Sequence, residues 1–134
     1  MSTLSRKLVQ TDDADGARRL TYWCQGCDEV HGVIVQGGKP GQSWGWDGNV
    51  EKPVFTPSVL YRRQMWTPPV TPENIEQWRA APWEQVQKEH ICHTFIGCNG
   101  AQPGEVIFLG DCTHALAGTV QPLLDLPAYW LDIK

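Results

Sequence analysis

Hydrophobic positions in this chain fall into short runs broken by glycine and proline, with one amphipathic stretch among them. "RRLTYWC" and "HGVIVQ" flank a Cys-x-x-Cys pair and predict two strands joined by a tight turn. "GGKPGQ" reads as a loop, and Asp47-Gly48 carries a hairpin-turn signal. "PVFTPSVLYRR" is strand-like. Its Pro53 and Pro57 confine it to an edge or an extended segment, because proline has no amide to give to a ladder. "ICHTFI" and "VIFLG" predict two further strands across the glycine-rich "GCNGAQPGE" turn, and residues 1–17 read as a tail or an edge strand.

Helical spacing is confined to "WTPPVTPENIEQWRAAPWEQVQKEH". Thr71 suits an N-cap, Pro72 the first helical position, and Ile75 and Trp78 share a face three residues apart. Pro82 ends that helix or starts a second one. The expectation is a mainly β, small β-rich α+β fold. It has a zinc-ribbon-like knuckle, a short helical insertion around residues 72–89, and a single domain over residues 1–134.

Composition narrows the function classes. The chain has 134 residues and is 41% hydrophobic, enough for one ordinary core. A net charge of −4 gives no basic field for nucleic acid or an anionic membrane. "GVIV" and "VIFL" are far shorter than the roughly 20 residues that span a bilayer. The polar N-terminus lacks the apolar core of a signal peptide, so the expected compartment is a cytosol. Five cysteines, an odd count, fit metal ligation better than a disulfide framework in that compartment. The seven tryptophans read as core filling, with an aromatic-lined binding surface as the alternative.

Candidate chemistry is concentrated in three clusters, which hold all four histidines and four of the five cysteines. The candidate ligands are Cys24, Cys27 and His31; His90, Cys92 and His93; and Asp111, Cys112 and His114. A Cys-x-x-Cys in a turn between strands forms a knuckle whose two thiolates grip one Zn²⁺, and two more ligands must come from elsewhere. Adjacent strand residues face opposite sides. His90 and Cys92 therefore share one face, and His93 and Phe95 the other. Asp111 and His114 converge only if their segment turns like a helix, and there Asp111 would orient the His114 imidazole. Ser58 in "TPSV" reads as a turn-capping hydroxyl, because no base is placed beside it by sequence. Cys98 reads as an exposed thiol.

"WCQGC…HG", "WGWDG…KPVFTPSV", "CHTFI" and "DCTHALAG" together resemble a family of small phage and prophage proteins, some carrying the label "ammonia monooxygenase". The resemblance runs from about Tyr22 to Leu126. It extends to more distant relatives in bacterial operons for ubiquitin-like conjugation, suggested to be zinc-dependent peptidases. It implies roles for Cys24, Cys27, His31, Cys92, His93, Asp111 and His114. The distant relatives have Cys-x-Ser-His where this chain has His90-Ile91-Cys92-His93, so the ligand at that point is His90 or Cys92.

Two functions compete. One is a zinc-dependent hydrolase of the peptidase class, acting on ubiquitin-like conjugates in the cytoplasm of a bacterial host. In it Cys24, Cys27, His31, Cys92 and His93 would hold the metal, and His93, Asp111 and His114 would do the chemistry. The other is a non-catalytic, zinc-stapled module that binds a host protein. No helix-borne His-Glu-x-x-His is present to decide for the first. Nucleic acid is a poor candidate partner on charge.

Overall fold

A computed structural model describes residues 2–37, 43–67, 72–73, 75–80 and 86–131. The fold is mainly β, built from two antiparallel sheets. The first sheet runs in chain order through β1 (Ser2–Thr3), β2 (Val9–Asp12), β3 (Arg18–Cys24) and β4 (Glu29–Gln36). The segment read as a tail or an edge strand thus supplies the edge of this sheet. The second runs through β5 (Gly45–Trp46), β6 (Phe55–Thr67), β7 (Val86–Ile96), β8 (Glu105–Phe108) and β9 (Val120–Pro122). Among the described residues the helices are α1 (Ile75–Ala80) and α2 (Ala128–Leu131).

The helical insertion is shorter than the sequence pattern predicts. Residues 86–89 do not extend a helix; they pair as strand, Val86 with Thr67 through Glu89 with Gln64. A continuous ladder to β6 overrides the weak helical preference there. Thr71 and Pro82 lie outside the described residues, as does the Trp78 side chain.

Alternation along the strands builds the core. Leu20, Tyr22, Cys24 and Val33 of the first sheet are buried against Phe55, Val59, Cys92, Ile96 and Phe108 of the second. β6 is irregular around Pro57. Phe55 pairs with Ile96 and Val59 with Thr94, so residues 56–58 of β6 stand opposite Phe95 alone. Such a bulge bends a strand and re-aims its side chains, and Ser58 lies in it. Beyond Thr56, β6 pairs on one side only among the described residues.

Direct hydrogen bonds join the sheets. The Tyr61 hydroxyl accepts from the Gly32 amide at 2.7 Å and donates to the Gly32 carbonyl. Trp44 gives its amide to Ile34 and its indole N–H to the Ser58 carbonyl, both at 2.8 Å. Tyr61→Phe removes both partners of Gly32 at once. It should cost about 1–3 kcal/mol, read as a lower urea midpoint at constant m-value; an unchanged midpoint would show that the bridge does not hold the sheets.

Candidate functional site: a thiol–imidazole cluster and a serine–histidine–aspartate chain on opposite faces of β7

Between the sheets, the knuckle predicted from Cys-x-x-Cys forms at the β3–β4 turn. Cys24 ends β3, and Asp28 takes a left-handed backbone, φ 54°, to close the turn. The thiols of Cys24, Cys27 and Cys92 and the imidazole of His31 converge, with all ligand atoms within 4.8 Å of one another. Cys24 Sγ lies 3.6 Å from Cys92 Sγ, and all five cysteines are free. Two thiolates on one tetrahedral zinc, each bonded at about 2.3 Å, stand roughly 3.8 Å apart, so the observed spacing suits a shared metal.

Two further observations test the fit. His31 is 3% exposed, stacked on Tyr61 at 3.8 Å, and its Nε2 has no hydrogen-bond partner. A buried imidazole nitrogen without a partner is costly and suits a coordinating atom. The three thiols also burden one another. Hydrogen bonds from Cys27 and Cys92 hold the Cys24 thiol far below its usual range. The same contacts with Cys24 push Cys27 up to about 12 and raise Cys92 well above its usual range. A divalent cation relieves that competition, because it lets all three ionise. Cys24, Cys27, His31 and Cys92 could therefore hold a metal ion, with four protein atoms to fill a tetrahedron.

Both open questions about neighbouring histidines have geometric answers. His90 shares the inner face with Cys92; its Nε2 lies 3.2 Å from Cys27 Sγ and its Nδ1 3.2 Å from Thr113 Oγ1. It thus sits where it can orient a ligand thiolate. His114 packs against the knuckle too. A Cβ on Gly26 would lie 2.2 Å from its Cε1, so only glycine leaves room for the ring. Burial holds His114 below its ordinary pKa, and its Nε2 is likewise without a partner. Cys92, Cys112 and His114 form a second overlapping group of ligand atoms.

His93 corrects the expected ligand set. It points to the opposite face of β7 from Cys92, and both its ring nitrogens are engaged there. Nδ1 lies 3.1 Å from Asp111 Oδ2, and Nε2 lies 3.0 Å from Ser58 Oγ. Strand alternation allows one of two consecutive residues to reach the knuckle, and the register selects Cys92. The expected Asp111–His114 pairing is corrected by the same fact: Asp111 bonds His93, while His114 turns toward the knuckle.

The loop after β8 places Asp111. Leu109 donates its amide to the His93 carbonyl and Thr113 to that of Ile91, each at 2.9 Å. The Cys112 thiol accepts from the His93 amide at 3.2 Å and donates to the His93 carbonyl at 3.3 Å. "DCTHALAG" thus clasps β7 as a strand would, with Asp111 held over the His93 ring. Cys98, read as exposed, is half-buried, and its thiol donates to the Phe55 carbonyl at 3.3 Å.

Ser58 is the residue that sequence reasoning missed. Its hydroxyl faces a histidine rather than capping a turn. The base is 35 residues away in sequence, so only the β6–β7 register, with its bulge, could have revealed the pair.

An aspartate, an imidazole and a serine hydroxyl in line form the arrangement of a serine hydrolase. The chain belongs to the family described as bacterial ubiquitination-like system serine protease, BubE, whose family model matches residues 2–103. Ser58, His93 and the whole thiol–imidazole cluster fall inside that span, and Asp111 follows it. No curated protein and no solved structure matches the chain. Among the described residues no helix is long and apolar enough to cross a membrane.

Cys24→Ser should lower bound metal from about one ion per chain to well below half and depress the melting temperature, since a structural metal such as zinc contributes on the order of 10 kcal/mol in small peptides. Elemental analysis beside a thermal melt checks this; a variant that keeps both would remove Cys24 from the ligand set.

Proposed function

We propose that this protein is a serine peptidase in which Ser58 is the nucleophile, His93 the general base and Asp111 the carboxylate that orients it. The observation that carries this reading is the unbroken chain from Ser58 Oγ through His93 to Asp111 Oδ2, within a family described as serine proteases. With Nδ1–H donating to Asp111, Nε2 is left to accept the Ser58 proton. Ser58 Oγ then bonds to the scissile carbonyl carbon. His93 passes the proton to the leaving amine, and water, deprotonated by the same imidazole, hydrolyses the acyl-enzyme.

The thiol–imidazole cluster takes a structural part in this reading, and zinc is the metal that a Cys₃His donor set suits. Four protein ligands leave no open position for a catalytic water, so the peptidase chemistry falls to the serine. Free thiols this close together suit a reducing compartment such as the bacterial cytoplasm. Because the family is described within ubiquitination-like systems, the proposed substrate is a peptide or isopeptide bond of a ubiquitin-like conjugate.

Labelling with a small alkyl fluorophosphonate tests the nucleophile: Ser58 Oγ bonds phosphorus and fluoride leaves. Intact-mass analysis should find one adduct, at Ser58, in the native protein and none in Ser58→Ala. That variant should retain its zinc and melting temperature while cleavage of a ubiquitin-like fusion falls by about 10⁴-fold. An unreactive Ser58 in zinc-loaded protein would favour the non-catalytic binding module instead.

A further inference from the structure

A cleft opens beside the free edge of β6, lined there by Val59, the residue that follows Ser58. It measures about 420 Å³, within the range of ligand clefts. Gly32 and Ile34 of the first sheet form one wall, and Val59, Leu60 and Tyr61 of the second form the other, with Trp44 between them.

Three features connect this cleft to the serine. Trp44 lines it and also holds the Ser58 carbonyl through its indole N–H. Leu60 pairs in register with His93, the residue whose Nε2 meets the Ser58 hydroxyl. Leu60 is 46% exposed, a large apolar side chain left uncovered beside a reactive group. The one cation on the lining is already partnered: Arg19 gives Nε and an Nη to the two carboxylate oxygens of Asp13, at 3.2 and 3.0 Å. The cleft therefore offers apolar and aromatic contact rather than a free charge.

We propose that this cleft is the specificity pocket of the peptidase and takes a bulky apolar side chain, aliphatic or aromatic, from the residue whose carbonyl Ser58 attacks. The proposal rests on the serine-peptidase reading. Burying such a side chain favours it over alanine by a factor set by the added apolar contact, and a charged side chain would lose its hydration with no partner in return.

Peptidyl diphenyl phosphonates test it. Ser58 Oγ bonds phosphorus, phenoxide leaves, and the side chain beside phosphorus occupies the pocket. Labelling rates are measured by intact mass for the phenylalanine, leucine, alanine and aspartate analogues on the full zinc-loaded chain. The phenylalanine or leucine analogue should react at least about tenfold faster than the alanine analogue, with aspartate the slowest. In Leu60→Gln and in Ile34→Gln, on opposite walls, the ratio of phenylalanine to alanine rates should fall several-fold. That ratio, taken within each protein, cancels any change in Ser58 reactivity. Equal rates for all four analogues, a preference for aspartate, or a ratio unchanged in both variants would overturn the pocket assignment while the small fluorophosphonate still labels Ser58. Failure of that small reagent to label the native protein would overturn the peptidase reading, and this proposal with it.

Discussion

Strand alternation at one dipeptide organises this protein. Cys92 and His93 are consecutive on β7, so their side chains must leave on opposite faces. The inner face delivers Cys92 to the knuckle between the sheets, 3.6 Å from Cys24. The outer face delivers His93 to Ser58 and Asp111. A residue inserted or lost in β7 would exchange the two faces and dismantle both sites together.

That arrangement gives the thiol–imidazole cluster a consequence beyond holding the fold. A metal held by Cys24, Cys27, His31 and Cys92 would tie the β3–β4 turn to the middle of β7 at the residue before His93. It would limit the freedom of the strand that carries the proposed base. Other contacts secure the same point from the far side. The Cys112 thiol brackets the His93 backbone, and the loop from Leu109 to Thr113 bonds to two β7 carbonyls. Ser58 is fixed separately, by the β6 bulge and by Trp44 on its carbonyl. The three members of the chain thus sit on three supports, as a reactive constellation needs if its hydrogen bonds are to keep their length.

How much of this was legible in the sequence depended on the range of the signal. The knuckle was, because Cys-x-x-Cys between two strand patterns is local and its chemistry is specific. So was the opposition of Cys92 and His93, which follows from a period of two. Pro57 was read only as confining its run to an edge or an extended segment, and the bulge of β6 was not legible. Ser58 was not legible: a lone hydroxyl in "TPSV" carries no sign of a base, and its partner comes from another strand through a bulge whose length no local rule supplies. Asp111 was singled out but paired with His114, three residues away, when its partner is His93, eighteen residues away across a loop. The residues after Pro82 showed how a local pattern can mislead, since 86–89 follow a ladder and not their helical spacing.

By itself, the sequence determined the β-rich architecture, the turn that presents Cys24 and Cys27, and the period of two that sends Cys92 and His93 to opposite faces, a period that the expected ligand set, with both residues in it, did not follow. Each follows from geometry repeated every few residues along the chain. Only the tertiary structure decided which histidine meets which partner. Hydrogen-bond distances between Ser58, His93 and Asp111 depend on the register of β6 on β7 and on the path of the loop after β8. Those are set by packing between elements far apart in the chain, where no local spacing carries information.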